Sequence, residues 1–218
     1  MPGTITGEKN SIRVSGDFTT REMPRLIAAM HNVISKAGYR EISLDFSDCT
    51  SAFAGPMLGV VSRCQLYWSE EIDIRLSVPT DDHIKRLFLN TNWAYLIDPH
   101  TYQESRYTGY QQIPAIRYSD GKQQHDAVSL ILNRLLGYLT EFKRSDLRCI
   151  EWALNEITDN VINHAQSPVG GFVQITNFTK KNRRVEFAVC DAGIGIPSSL
   201  RSTHSEAVSK RVEWPESS

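Results

Sequence analysis

The stretch that decides the fold reads NEITDNVINHA over residues 155–165 and is completed by CDAGIGIP over residues 190–197. Apolar residues in and just before the first segment recur with a period of about 3.6, which predicts an α-helix with one apolar stripe. The predicted stripe consists of Trp152, Leu154, Ile157, Val161, Ile162 and Ala165. Because residues three and four apart are neighbours on a helix, Glu156, Asn160 and Asn163 are expected to share one oxygen-bearing face.

The second segment begins where a predicted strand ends. Residues 184–190 have the composition of a β-strand, and residues 172–176 are expected to pair with them as an antiparallel hairpin. Gly193 and Gly195 follow at once, and glycine permits both tight turns and a close approach of the backbone to a ligand. The sequence therefore predicts that Asp191 stands at a strand end that leads into a glycine turn.

Together the two segments resemble the N box and the G1 box of the GHKL ATPase superfamily. That group includes gyrase B, the heat-shock chaperone ATPases, the mismatch-repair ATPases, sensor histidine kinases and anti-sigma-factor serine kinases. Glu156 and Asn160 match the pattern Glu-x-x-x-Asn, and Asp191, Gly193 and Gly195 match Asp-x-Gly-x-Gly. The same residues are also compatible with a solvated helix face and an ordinary turn.

The resemblance implies a role for each matched residue in binding ATP and Mg²⁺. Asn160 would coordinate Mg²⁺, Glu156 would orient or deprotonate the attacking group, and Asp191 would bind the adenine amino group. An amide ligand suits Mg²⁺, which prefers oxygen and keeps waters and substrate phosphates in its shell. Further nucleotide contacts are implied for Asn163, His164, Gly193, Gly195 and Ile196.

The first half of the chain predicts alternating strands and helices. Strands are expected at residues 11–14, 41–46 and 73–78, helices at 21–36, 55–68 and from Asp82 onward, and a turn at 47–51. Such an order favours an α/β layer domain. It resembles the STAS-type domain of anti-anti-sigma factors over residues 10–100, with Ala54 or Gly55 where that family carries its phosphorylated serine.

These assignments predict three segments and an α/β (α+β) fold class. A STAS-like α/β domain is expected over residues 1–100, a linker over 101–115, and a GHKL ATPase-like two-layer α/β sandwich over 116–218. GHKL proteins continue with a second glycine box and a final strand, and neither is found before Ser218. We therefore expect a form truncated in the ATP lid, or a fragment of a longer protein, with weaker nucleotide binding than a longer form.

Composition limits the function classes. The chain has 218 residues, 40% of them hydrophobic and 22% charged, which is typical of globular proteins. A net charge of −1 gives no bulk attraction to nucleic acid, and no apolar run is long enough to cross a bilayer. Four cysteines without Cys-x-x-Cys spacing are expected to be reduced core residues of a cytoplasmic protein: Cys49, Cys64, Cys149 and Cys190.

Three functions remain open at this point. The first is an ATPase or serine protein kinase of the GHKL class, acting as a bacterial regulatory protein with a protein partner. The second is a non-catalytic regulator in which the nucleotide orders the lid and changes partner binding, as in anti-sigma factors. The third is an interaction module whose ATP site has decayed, against which the intact Glu156, Asn160 and Asp191 argue. A homodimer is compatible with each of them.

Overall fold

The first part of the chain is built on a four-stranded sheet. The computed structural model describes residues 2–105, 113–138, 143–178, 184–195 and 198–199. The strands are β1 (Thr4–Glu8), β2 (Ser11–Phe18), β3 (Glu41–Ala52) and β4 (Asp73–Ser77), in that spatial order. β1 is antiparallel to β2, whereas β2, β3 and β4 are parallel. The sequence did not predict β1, whose residues are mostly exposed.

Helices cover one face of this sheet. They are α1 (Met23–His31), which continues into a π-helical turn (Asn32–Lys36), α2 (Ala54–Ser69), α3 (Asp82–Asn90) and α4 (Trp93–Ile97). Asp81 caps α3, since its carboxylate accepts hydrogen bonds from the amides of His83 and Ile84 at 2.9 and 3.0 Å. Gly38 follows the π-helical turn with φ +76°, a conformation that glycine adopts readily.

The predicted turn at residues 47–51 is wrong, because these residues continue β3. They pair with the end of β2, where Asp17 lies opposite Ser51 and Phe18 opposite Ala52, after two register shifts. The Asp17 carboxylate accepts hydrogen bonds from the hydroxyls of Thr50 at 2.9 Å and Ser51 at 2.8 Å. Pairing with a neighbouring strand and these side-chain hydrogen bonds outweigh the turn preference of a serine-rich segment.

The second part is built on a three-stranded antiparallel sheet. Its strands, in spatial order, are β5 (Ile116–Tyr118), β6 (Gly171–Phe178) and β7 (Arg184–Asp191). The predicted hairpin of β6 and β7 is therefore confirmed. The helices are α5 (Gly121–Tyr138) and α6 (Arg148–Asn160), with a 3₁₀ turn (Arg144–Leu147) before α6 and a π-helical turn (Val161–Ala165) after it.

Helix α2 lies between the two sheets. Ten of its sixteen residues are buried, as expected for a helix that is covered on more than one side. The core of the first sheet also includes Val169 and Phe172 of the second part. Across the same boundary, the indole nitrogen of Trp93 donates a 2.7 Å hydrogen bond to the side-chain oxygen of Gln174. Two sheets therefore use one helix as a shared packing layer.

Strand β6 is buried on both faces and divides two cores. Phe172 packs toward α2, whereas Val173 and Ile175 pack with α5 and α6. Its partner strand β7 alternates in the same way, since Cys190 contacts the first core and Val189 the second. Because cross-strand partners point to the same face, the position of Asp191 beside Gly171 places its side chain on the α6 face.

The described ends of the predicted linker pack against both parts. Tyr102 donates a 2.9 Å hydrogen bond from its hydroxyl to the carbonyl of Leu76 in the edge strand β4. At the other end, the amide of Ala115 donates to the carbonyl of Thr91, and the amide of Ile113 to that of Ile175. The boundaries of the predicted domains stay a prediction.

The mixed α/β fold class is confirmed by the two sheets and their helices. In the part of the chain that the structure describes, no helix combines the length and apolar character needed to span a membrane.

Candidate functional site

The exposed face of α6 carries the residues of the first motif. Glu156 and Asn160 lie on α6, and Asn163 and His164 lie on the π-helical turn that extends it. All four are exposed to solvent. Side chains at positions three and four apart point the same way from a helix, so Glu156, Asn160 and Asn163 share one stripe.

The buried stripe of α6 differs from the predicted one in two residues. Trp152 is 68% exposed and Ile157 is 49% exposed, whereas Leu154, Val161 and Ala165 are buried as predicted. The helix is rotated so that the polar residue Thr158 faces the core in place of Ile157. We conclude that the apolar period alone assigned the face incorrectly at these two positions.

A polar contact explains this rotation. The hydroxyl of Thr158 donates a 2.7 Å hydrogen bond to the carbonyl of Leu154 and accepts one of 2.8 Å from the side-chain amide of Gln124 on α5. Thr158 is fully buried, and a buried hydroxyl is tolerated where it is hydrogen-bonded. The contact fixes α6 against α5 and leaves Glu156 and Asn160 directed outward.

The glycine turn after β7 packs against the end of this helix. The amide of Ile194 donates a 2.8 Å hydrogen bond to the carbonyl of Ala165, the last residue of the π-helical turn. A Cβ atom at Gly193 would overlap that carbonyl oxygen. Gly193 is therefore required for the close approach of turn and helix, and Gly195 has φ +74°, which also favours glycine.

Asp191 closes the turn that it begins. One carboxylate oxygen accepts a 2.7 Å hydrogen bond from the amide of Gly193. The neighbouring amide of Ala192 donates to the hydroxyl of Ser167 at 3.4 Å, and this hydroxyl donates to the carbonyl of Gly170 at 2.7 Å. The loop between α6 and β6 thus holds the turn in place. Ile196 lies outside the described residues.

The structure places the glycine turn of the second motif against the π-helical turn that extends the helix of the first. Asp191 is half-buried on the sheet face that α5 and α6 cover, and its glycine turn contacts the end of α6. Glu156 and Asn160 lie farther back along the same helix, on its solvent side. An acidic acceptor at a strand end and an oxygen-bearing helix stripe are thus held by one packed unit.

Tyr118, which the sequence did not single out, lies in register with Asp191 across the second sheet. Tyr118 on β5 pairs with Gly171, and Gly171 pairs with Asp191. Tyr118 is fully buried, and burial together with the negative charge of Asp191 raises the pKa of its phenol. The available sequence signal was Gly171 itself, since a glycine within a strand often marks a close approach of another group.

The cysteines occupy three different environments, and the prediction that all four are core residues is wrong for Cys149. That residue is exposed on α6, whereas Cys49 and Cys64 are buried and Cys190 is half-buried. Burial raises the pKa of the Cys190 thiol. The hydroxyl of Ser62 on α2 donates a hydrogen bond of 3.8 Å to the Cys190 sulfur. All four thiols are free.

Among the described residues, no group of three or more His, Cys, Asp or Glu side chains is placed to hold a metal ion. Two cavities lined by described residues lie away from the predicted site. One, of about 630 Å³, is at the junction of the two parts beside Gln65 and Arg117, and one, of about 400 Å³, is between α1 and α2 beside Ile27 and Tyr67.

Comparison with known proteins adds no assignment. No protein-family model matches the chain, and a search of curated proteins finds no matching relative.

Proposed function

We propose that this chain is an ATP- and Mg²⁺-binding regulatory protein whose second part is a GHKL-type ATPase domain. It hydrolyses ATP or phosphorylates a partner protein. The observation that carries the proposal is the contact of the Gly193–Ile194 turn with the carbonyl of Ala165. This contact joins the Asp191 turn to the helix of Glu156 and Asn160, as a nucleotide site composed of both motifs requires.

Asp191 is the residue proposed to recognise the base. One of its carboxylate oxygens already accepts the amide of Gly193, which fixes the orientation of the group. Each carboxylate oxygen has two lone pairs, so acceptor capacity remains for an exocyclic amino group. A fixed acceptor at the end of β7 suits adenine, which presents a donor there, better than a purine with a carbonyl oxygen at the same position.

Glu156 and Asn160 are proposed to act on the phosphate end. Both side chains are exposed on one helix stripe and can approach a bound ligand without first breaking a core contact. Mg²⁺ commonly takes only one or two protein ligands and completes its octahedron with phosphate oxygens and waters, so the Asn160 amide fits that ion. Glu156 orients or deprotonates the attacking water or hydroxyl, and Mg²⁺ held by Asn160 would supply neutralisation of the developing phosphate charge.

A non-catalytic, nucleotide-gated regulator is the second candidate, and one observation favours it. Cys190, next to Asp191 in β7, contacts Ser62 of α2, and α2 belongs to the core of the first sheet. A nucleotide bound at Asp191 would therefore lie next to the boundary with the first part and could change the contacts there. In either form we propose a cytoplasmic protein with a protein partner, for which homodimerisation is one arrangement.

Incubation with radiolabelled ATP and Mg²⁺ tests the proposal and separates its two forms. Free phosphate indicates an ATPase, labelled protein indicates a kinase, and binding by calorimetry without either product indicates a nucleotide-gated regulator. Glu156→Gln is the catalytic control, since it keeps the size of the side chain but removes its charge and basicity. The absence of ATP binding by the wild-type chain would overturn both forms.

A further inference from the structure

Tyr118 has a buried hydroxyl that is not used by the fold. The residue is fully buried in the core shared by α5, α6 and the second sheet. Its hydroxyl oxygen is buried and has no hydrogen-bond partner among the described residues. Leaving a buried polar group without a partner is unfavourable, and the large majority of such groups in native structures are hydrogen-bonded to protein or to ordered water.

The position of Gly171 directs this hydroxyl toward Asp191. Tyr118, Gly171 and Asp191 are in register across the three strands, so the side chains of Tyr118 and Asp191 point to one face on either side of the glycine. A Cβ atom at Gly171 would lie 2.5 Å from the Tyr118 hydroxyl oxygen and 2.9 Å from its Cε1 atom. The phenol therefore crosses the strand at the one residue without a side chain and ends toward the neighbouring strand that carries Asp191.

The chemistry of the two groups is complementary. A phenol is a hydrogen-bond donor at neutral pH, and an ionised carboxylate only accepts. The carboxylate already has one oriented donor, the amide of Gly193, at 2.7 Å. A second donor from the sheet side would fix the plane of the carboxylate and leave its outer lone pair for a ligand. An acceptor that selects one base needs a carboxylate whose orientation is fixed in this way.

We propose that Tyr118 is a positioning residue that makes the Asp191 carboxylate selective for a purine with a 6-amino group. When such a nucleotide binds, the Tyr118 hydroxyl donates to the carboxylate, directly or through one water, and Asp191 accepts from the amino group. The inference rests on the proposed function, because it assigns the selectivity of that same nucleotide site. The proposal also explains why residue 171 is glycine, because a side chain at this position would overlap the phenol ring of Tyr118.

The test compares two nucleotides in two variants of the full chain. Tyr118→Phe removes only the hydroxyl, and affinities are measured by calorimetry for ATP and for a purine nucleoside triphosphate that lacks the 6-amino group. We expect Tyr118→Phe to weaken the affinity for ATP by about threefold to tenfold and to leave the affinity for the second nucleotide unchanged. Tyr102→Phe is the matched control, because the Tyr102 hydroxyl is hydrogen-bonded to β4 in the first sheet. This variant should preserve the ratio of the two affinities.

Two further readouts separate positioning from structure. In the nucleotide-free protein, Tyr118→Phe should leave the melting temperature the same or raise it, because the hydroxyl that is lost has no partner. In an Asp191→Asn background, Tyr118→Phe should have no further effect on ATP affinity, since its action passes through that carboxylate. A lower melting temperature with equal loss for both nucleotides would show a structural role and overturn the inference.

The outcomes distinguish this inference from the proposed function. If wild type binds ATP and Asp191→Asn loses it while Tyr118→Phe keeps the wild-type ratio of affinities, the role of Tyr118 is wrong and the proposed function stands. If Tyr118→Phe weakens ATP equally in the Asp191→Asn background, the hydroxyl contacts the ligand itself and the positioning role is wrong. If wild type binds neither nucleotide, both proposals fall.

Discussion

The amide nitrogen of Ile194 lies 2.8 Å from the carbonyl oxygen of Ala165 and donates a hydrogen bond to it. This bond joins the glycine turn after β7 to the last residue of the π-helical turn that extends α6, the helix that carries Glu156 and Asn160. It satisfies a carbonyl at a helix end, where intrahelical donors are missing. The relationship between the two motifs is therefore a direct backbone contact.

Gly193→Ala should break this contact. The added Cβ would overlap the Ala165 carbonyl oxygen, which belongs to backbone and cannot rotate away, so we expect a loss of about 1–3 kcal/mol in the free energy of unfolding. Gly55→Ala is the matched control, because its Cβ meets open space in a helix and alanine is favoured there by up to about 1 kcal/mol. Urea denaturation of both variants measures the difference. Equal stability of the two would show that the turn is not packed on the helix.

Among the described cysteines, Cys149 should be the first to react with a thiol reagent. It is exposed, whereas burial raises the pKa of Cys49 to about 11 and also raises those of Cys64 and Cys190, which reduces their thiolate fraction at neutral pH. Mass spectrometry after brief alkylation should find the label on Cys149, and Cys149→Ser should remove the fast phase. Reaction of the native protein at Cys64 before Cys149 would contradict the placement of α2 between the sheets.

The shared helix α2 predicts that the two parts unfold together. Trp93→Phe removes the indole donor to Gln174, and a buried amide oxygen left unpaired costs about 1–3 kcal/mol. We expect one calorimetric transition in the wild type, moved as a whole to lower temperature in the variant. Trp68→Phe, which loses a hydrogen bond to the Ile97 carbonyl within the first part, is the control for loss of an indole donor. Two separated transitions in the wild type would refute a shared packing layer.

Acid should destabilise the protein in part through Asp17. Hydrogen bonds from Ser51 and then Thr50 lower the pKa of Asp17 below its ordinary value of 3.8, so this group stabilises the fold above that value. The contribution is lost as the pH falls through the lowered folded pKa, because the unfolded chain then binds protons more readily. Ser51→Ala should bring the pKa of Asp17 closer to its ordinary value and reduce this contribution.

Melting temperatures measured between pH 7 and pH 2.5 test whether the contribution of Asp17 to stability is lost on acidification. We expect the curves of wild type and Ser51→Ala to converge toward the acid end and to separate above about pH 4. Ser77→Ala on the exposed end of β4 is the control, and its difference from wild type should not depend on pH. A Ser51→Ala difference that grows on acidification would contradict the described hydrogen bond.

The sequence predicted the elements well where local signals agreed and less well where tertiary contacts decided. The cap at Asp81, helix α2 and the hairpin of β6 and β7 follow from capping chemistry, continuous apolar character and alternation. The extension of β3 over residues 47–51 depends on pairing with β2 and on the carboxylate of Asp17, which no local pattern contains.

The same distinction applies to the site. Glu156, Asn160 and Asp191 are predicted site residues because their spacing forms motifs, and helical period places the first two on one stripe. The exchange of Ile157 for Thr158 in the buried stripe depends on Gln124 of another helix. The role proposed for Tyr118 could not be predicted from its neighbours in sequence, because it depends on strand register with Gly171 and Asp191.

The central claim is that Asp191 holds a nucleotide base while Glu156 and Asn160 act on its phosphate end. Asp191→Asn keeps the size of the side chain but replaces one acceptor oxygen with a donor, which would face the adenine amino group unpaired. Glu156→Ala should leave ATP affinity similar or tighter while turnover falls, and Asn160→Ala should lose affinity mainly when Mg²⁺ is present. A solvated helix face and an ordinary turn would not produce this pattern.

Calorimetric titration of ATP–Mg²⁺ into wild type and Asp191→Asn tests this claim most directly. An unpaired buried donor costs about 1–3 kcal/mol, so the account predicts that Asp191→Asn binds ATP roughly tenfold to hundredfold more weakly, with an unchanged melting temperature in the absence of nucleotide. ATP binding by Asp191→Asn with the affinity of wild type would contradict the assignment of this site.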